Sequence, residues 1–109
     1  MSSTKLAQAV AGYIAAANGQ DINAVTACFT EDAMVFDEKQ ERRGIFAIRI
    51  WAEEVSKKYR PTLEVLDVTH AGGKTVIAGR VSGDFPNSPV RLRYAFDLDG
   101  EKIERLEIA

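Results

Sequence analysis

The sequence predicts an α+β fold in which N-terminal helices pack on one face of a curved, mostly antiparallel sheet. Apolar residues recur at helical spacing in the first half of the chain and alternate with polar residues in the second half. Two tight-turn signals, Gly72-Gly73 and Asp99-Gly100, separate alternating segments. Helices followed by a run of antiparallel strands are typical of α+β domains. A sheet that wraps around a helix layer encloses a cone, and the open mouth of that cone is the natural ligand site.

Two helices are expected at the N-terminus. Ser3 or Thr4 caps the first helix, and Gly19 ends it, because glycine is the usual residue after a helix. Its apolar residues, Tyr13 among them, form one stripe at helical spacing rather than the core of a signal peptide, so we expect a structural helix and a cytoplasmic protein. Asp21 caps a shorter second helix, whose apolar side carries Ile22, Val25, Cys28 and Phe29.

A third helix is expected between Gly44 and Pro61, since proline prevents a helix from continuing. Trp51 lies on its broad apolar face, whereas Phe46 and Ile50 lie elsewhere on its surface. The third helix is therefore apolar over more than one stripe, which would suit an interface.

Strands are expected on both sides of the third helix. A short strand covers residues 33–36, and the charged run DEKQERR after it is interpreted as a solvated turn without a binding role. Four strands forming an antiparallel meander then cover residues 62–70, 74–83, 90–98 and 102–108.

Length and composition restrict the function further. The 109 residues predict a single domain, residues 1–109. The net charge of −2 disfavours nucleic acid as a partner, and no apolar run approaches the roughly 18 residues of a membrane span. A single cysteine, Cys28, excludes an internal disulfide, and a single histidine, His70, argues against a histidine-rich metal site. We therefore expect chemistry that rests on carboxylates and phenols, with no metal and no cofactor.

Three stretches of the sequence carry a family resemblance: AVAGYIAAANGQDINAVTACFTEDAMVFD, RGIFAIRIWAE and YAFDLDGEKI. Together they resemble the nuclear transport factor two-like superfamily, in its SnoaL-like and ketosteroid isomerase branch. The resemblance covers nearly the whole chain and implies a cystatin-like α+β barrel with a cavity, and a homodimer. It is less specific for function, because this fold hosts isomerases, cyclases, dehydratases, hydrolases and binding modules.

The same resemblance implies roles for three residues. In ketosteroid isomerases, a tyrosine on the first helix donates a hydrogen bond to the substrate oxygen, and an aspartate that ends the first strand abstracts a proton. These roles fall on Tyr13 and Asp37. The third isomerase residue is an acid, and its position falls on Tyr94, which is a departure from the family pattern. Asp37 would be the general base, Tyr13 the principal oxyanion donor and Tyr94 a second donor.

Five further residues are expected to line the ligand pocket. They are apolar. They lie on the third helix, directly before Asp37, in the loop GDFPNSP and on the strand face that carries Tyr94. These residues are Trp51, Phe36, Phe85, Phe96 and Leu92.

The resulting prediction is proton transfer next to a carbonyl, of isomerase or cyclase type, on a hydrophobic small molecule. The alternative is a non-catalytic ligand-binding or protein-interaction module, with Tyr13 as a packing residue and Asp37 capping its own turn.

Dehydratases of this fold rely on cavity histidines, which His70, interpreted as a turn residue, does not match. Arg80 would be an anion contact if it pointed inward, but such residues more often lie on a solvated face.

Overall fold

The computed structural model describes residues 6–109 and has three helices packed on a six-stranded sheet, which confirms the predicted α+β class. The helices are α1 (Gln8–Asn18), α2 (Ile22–Ala27) and α3 (Ile45–Tyr59). The strands are β1 (Phe29–Asp37), β2 (Gln40–Arg43), β3 (Thr62–Ala71), β4 (Lys74–Ser82), β5 (Val90–Asp99) and β6 (Lys102–Ile108).

The helix boundaries agree with the predicted signals, apart from the first cap. Ser3 and Thr4, predicted to cap α1, lie outside the described residues, and the N-cap position of α1 is Ala7. The side chain of Asp21 caps α2 by accepting a hydrogen bond from the backbone N–H of Ala24 at 3.1 Å, as predicted. Within residues 6–109, no helix is long and apolar enough to cross a membrane.

The sheet has the strand order β2-β1-β6-β5-β4-β3. The strands β3 to β6 form the predicted antiparallel meander. β1 pairs with β2 in antiparallel fashion, but it pairs with β6 in parallel. Because of this parallel pairing, the first strand in the chain lies directly beside the last one, inside the sheet.

The hairpin of β1 and β2 corrects two predictions. β1 begins at Phe29, which was expected on the second helix, and the charged run after Asp37 contributes a strand rather than only a turn. Glu38 and Lys39 connect the two strands with φ angles of 53° and 62°. Two successive residues with positive φ are the geometry of a tight two-residue hairpin turn, and this turn contains no glycine to signal it.

The core lies between the helices and the concave face of the sheet. Its fully buried large side chains come from α1, α3 and the inner strands: Phe96, Ile48, Ile77, Ile103, Leu106, Val10 and Val35. On the outer surface of α3, by contrast, Phe46 is 81% exposed and Ile50 is 50% exposed. The expectation that these two residues lie off the main apolar face of the third helix is confirmed.

Candidate functional site

A cavity of about 350 Å³ opens between the helices and the concave face of the sheet. This volume lies within the range of about 300–1,000 Å³ that is usual for small-molecule sites. Its walls come from all three helices, from five of the strands and from the loop between β4 and β5. Most of the wall is apolar, with aliphatic side chains such as Val25, Val55, Leu63, Val81 and Leu92.

Asp37 is the last residue of β1, and its carboxylate faces this cavity. Its Oδ2 atom accepts a hydrogen bond of 3.0 Å from Nε1 of Trp51, a buried side chain of α3. Burial raises the pKa of Asp37, and the hydrogen bond from Trp51 partly opposes that rise. Smaller effects come from the Glu38 charge, which raises the pKa, and from the Glu38 backbone N–H and the Arg42 charge, which lower it. The result is a carboxylate that is more basic than an exposed aspartate and is held in one orientation.

Two tyrosines from opposite layers line the same cavity. Tyr13 comes from α1 and is 5% exposed, and Tyr94 comes from β5 and is 7% exposed. Both rings pack on Phe96, Tyr13 edge-on at 5.7 Å between ring centroids and Tyr94 stacked at 6.4 Å. Burial and, to a lesser extent, the charge of Asp37 raise the pKa of both phenols. Both hydroxyls are therefore protonated at neutral pH and can donate hydrogen bonds.

The register of the sheet explains why these groups lie close together. Phe36 pairs with Glu107 in parallel, so the next residues, Asp37 and Ile108, lie side by side. Ile108 in turn pairs with Tyr94 on β5. Asp37 and Tyr94 are therefore two strands apart in one row, at roughly 10 Å between their Cα atoms. Their side chains extend from the same face of the sheet into the cavity.

The structure brings together six of the eight predicted site residues. The cavity wall contains Asp37, Tyr13, Tyr94, Trp51, Phe85 and Leu92. The catalytic roles assigned to the first three stay predictions.

The expectation that Phe36 and Phe96 line the cavity is wrong. Phe36 lies between Val35 and Asp37 on a strand, and successive side chains of a strand point to opposite faces of the sheet. Because Asp37 faces the cavity, Phe36 faces away from it. Phe96 lies on the inner face but is fully buried, with the rings of Tyr13 and Tyr94 packed on it. Its contribution is to support the two phenols.

The rim of the cavity contains a contact that the sequence did not suggest. The hydroxyl of Tyr59, at the end of α3, donates a hydrogen bond of 2.9 Å to Oε2 of Glu38 in the hairpin turn. The ring of Tyr59 also packs edge-on against Phe85 at 5.8 Å between centroids. The hairpin, α3 and the β4–β5 loop therefore meet at one point of the rim. The position of Tyr59 on the apolar face of α3 was the available signal, but its partner lies 21 residues away.

Polar residues on the opposite wall hold the helices to the sheet. The amide of Asn18 donates to the backbone oxygen of Leu63 at 3.0 Å and accepts from its backbone N–H at 2.8 Å. The amide of Gln20 donates to the backbone oxygen of Pro61 at 3.1 Å and accepts a hydrogen bond from the hydroxyl of Ser56. The sequence analysis missed these residues, because a lone Asn or Gln after a helix is indistinguishable from a loop residue.

The remaining chemically notable residues lie away from the cavity. His70 is exposed on β3, and Arg80 is exposed on β4, where it pairs with Glu64 at 3.3 Å. The expectation that Arg80 lies on a solvated face is thus confirmed. Across residues 6–109, no group of three or more His, Cys, Asp or Glu side chains could hold a metal ion.

Replacing Trp51 tests how its indole controls Asp37. The substitution Trp51→Phe removes the donor but keeps an aromatic ring, so we expect the pKa of Asp37 to rise further, because the carboxylate loses a hydrogen bond that favours its charged form. The pKa is measured by an NMR titration of the side-chain carboxyl carbon, with the signal assigned by its disappearance in Asp37→Asn. An unchanged or lowered pKa would contradict this role of Trp51.

Comparison with known proteins places the fold and the family. The SnoaL-like domain family matches residues 10–105 of the chain. A candidate polyketide cyclase from Sinorhizobium meliloti is 36% identical, with 95% of each chain covered and a TM-score of 0.91. No curated protein matches the sequence.

Two more distant structures share the fold. A candidate polyketide cyclase from Pseudomonas putida KT2440 is 20% identical, with 98% of this chain and 92% of that chain covered and a TM-score of 0.83. A protein from Catenulispora acidiphila with a ketosteroid isomerase-like fold, in complex with trimethylamine, is 18% identical, with 96% and 86% covered and a TM-score of 0.84. At these identities the likeness extends to the fold alone.

Proposed function

This chain belongs to the SnoaL-like domain family, and from that premise we propose that its cavity catalyses proton transfer next to the carbonyl group of a hydrophobic small molecule. The observation that carries the proposal is that Asp37, Tyr13 and Tyr94, from three different elements, line one largely apolar cavity. A carboxylate beside two phenol donors is the set of groups that such a reaction needs.

In the proposed reaction, Asp37 acts as the general base. Its carboxylate removes a proton from the carbon next to the carbonyl, so a C–H bond breaks and an O–H bond forms on Asp37. The electron pair of the broken bond moves into the carbon framework, and the carbonyl oxygen becomes an enolate oxygen. Asp37 then returns the proton, either to the same carbon or to a conjugated one. The raised pKa of Asp37 favours this exchange, because it brings the base closer in basicity to the carbon acid.

Tyr13 and Tyr94 would stabilise the charge that develops on the oxygen. Hydrogen-bond donors that are already oriented act most strongly where water is excluded, and both phenols are buried. Phe96 packs against both rings, which holds the two phenol oxygens in place. Tyr13 is the principal donor in this proposal, and Tyr94 is the second.

The overall reaction would be of isomerase or cyclase type. Return of the proton to a conjugated carbon isomerises the substrate. In the ring-closing version the enolate carbon instead attacks a second carbonyl carbon, whose C=O π bond breaks, and the proton from Asp37 passes to the resulting alkoxide oxygen. The 36% identical protein from Sinorhizobium meliloti, a candidate polyketide cyclase, supports the ring-closing version. The homodimer implied by the family resemblance and the cytoplasmic location inferred from the N-terminal helix stay predictions.

A second candidate function is ligand binding without catalysis. The observation that favours it is Tyr94, which occupies the position where ketosteroid isomerases have an acid. A phenol there still donates a hydrogen bond, but it is a weaker acid than a carboxyl group. In this case the cavity would hold the same kind of ligand and leave it unchanged.

The proposed function is tested with 3-cyclohexen-1-one, a small uncharged ketone with an acidic proton between its carbonyl and its double bond. We expect the protein to catalyse deuterium incorporation from D₂O, followed by NMR, together with conversion to the conjugated ketone, followed by ultraviolet absorbance. Saturable binding of this ketone with no exchange above the buffer rate would favour the binding module instead.

A further inference from the structure

The charged residues on the cavity wall are all acidic. Its carboxylates are Asp37 and Glu38, and within the described residues 6–109 no lysine, arginine or histidine lines it. Enzymes that bind anionic substrates usually provide an arginine or lysine to neutralise them. This wall offers a ligand no cationic partner.

Arg42, Lys57 and Lys58 line a neighbouring depression rather than the cavity, and the buried Nε of Arg42 has no hydrogen-bond partner within the described residues. The guanidinium of Arg42 contacts Glu54 at 3.3 Å and Gln40 at 3.0 Å. Its effect on the pKa of Asp37 is the smallest of those acting on that group. The ammonium of Lys58 lies over the outer ring of Tyr59, 5.0 Å from the centroid. Asp37 therefore faces the cavity with only a weak influence from the charge of Arg42 and with no cation on the wall beside it.

The polar groups of the wall are also unevenly distributed. At one end, Asn18 and Gln20 use their amides to bind backbone groups of Leu63 and Pro61. Asp37 and Tyr94 lie on β1 and β5, away from the β3 edge that Asn18 contacts, and Tyr13 lines the same cavity. A polar group of the ligand that lies against the apolar side chains would give up its hydrogen bonds to water and gain none from the protein. Such burial is unfavourable.

We infer that Asp37 also determines specificity, by excluding anions, so that the ligand is an uncharged molecule with one polar pole, held at the Asp37 end, and an otherwise apolar body. The inference rests on the proposed function because it concerns the same site, but it is tested by binding rather than by turnover. The inference predicts that the cavity binds simple ketones more tightly than their carboxylated analogues. Two like charges at about 5 Å in such a site weaken binding by roughly 10- to 100-fold.

The test uses two ligands with the same apolar cage and different polar groups: 2-adamantanone, which is uncharged, and adamantane-1-carboxylate. Binding is measured by calorimetry at pH 8, and the fluorescence of Trp51, the single tryptophan of the chain, reports occupation of the cavity. We expect the ketone to bind the unmodified protein at least tenfold more tightly than the carboxylate. Asp37→Asn should shrink this ratio about tenfold by improving carboxylate binding, with ketone binding little changed.

Asp32→Asn is the matched control. It removes the same charge from an exposed position on the same strand, outside the cavity, and should leave the ratio unchanged. Equal binding of both ligands to the unmodified protein would overturn the inference, as would a ratio that Asp37→Asn leaves unaltered. Failure of the ketone to bind would also overturn it, because the apolar wall would then not accept an uncharged cage. A protein that selects 2-adamantanone over the carboxylate but exchanges no protons on 3-cyclohexen-1-one would support the inference and refute the proposed catalysis.

Discussion

Asp37→Asn is expected to reduce proton exchange on 3-cyclohexen-1-one by about 10²- to 10⁴-fold, the range over which a positioned base contributes to catalysis. The amide has nearly the same shape and can still accept the hydrogen bond from Trp51, but it cannot take a proton from carbon. Ligand affinity should stay close to that of the unmodified protein. The loss should therefore appear in kcat and leave KM largely unaltered.

The control for this variant is again Asp32→Asn, which should retain full activity because its exposed carboxylate is outside the cavity. Retained exchange in Asp37→Asn would remove Asp37 from the mechanism. Equal loss in both variants would point to net charge rather than to a base. Thermal unfolding of each variant shows whether the fold is intact, so that a loss of activity is not attributed to unfolding.

Tyr13→Phe is expected to lower kcat by about 10²- to 10³-fold, the usual cost of removing one oxyanion donor. The ring packs edge-on against Phe29 and Phe96, at 5.9 Å and 5.7 Å between centroids, and phenylalanine preserves both contacts. The melting temperature should therefore change little. The rate is measured with the same ketone under saturating conditions.

Two outcomes would contradict the role of Tyr13. An unchanged rate would make it a packing residue, as the alternative interpretation of the sequence holds. A loss confined to KM, with kcat intact, would mean that the hydroxyl binds the ketone equally well before and during proton transfer. The corresponding variant Tyr94→Phe should show a smaller loss, because Tyr94 is the second donor in the proposed reaction.

The fold was predictable where the pattern of residues is local. The turns at Gly72-Gly73 and Asp99-Gly100 and the alternation around them were sufficient to predict the meander. β2 was missed because Glu38 and Lys39 make a tight turn without glycine. The parallel pairing of β1 with β6 was not predictable either, because alternation shows which face a side chain occupies and not which strand lies beside it.

The candidate site was predictable only with help from the family resemblance. Asp37 and Tyr13 carry no local signal that distinguishes them from a turn residue and a packing residue. The hydrogen bond between Trp51 and Asp37 joins two elements and is invisible in the sequence. The error on Phe36 was avoidable, since a cavity position for Asp37 already requires its neighbour on the strand to face the other way.

The pairing of β1 with β6 has a consequence for how the protein folds. Phe36 contacts Glu107 across about 70 residues of intervening chain, a separation typical of slowly folding, high-contact-order topologies. β1 cannot take its place inside the sheet until β6 has formed beside it. The position of the Asp37 carboxylate depends on a strand about 70 residues later in the chain, so we expect it to be fixed late in folding. A chain truncated before β6 would therefore lack the pairing that places Asp37 beside Ile108.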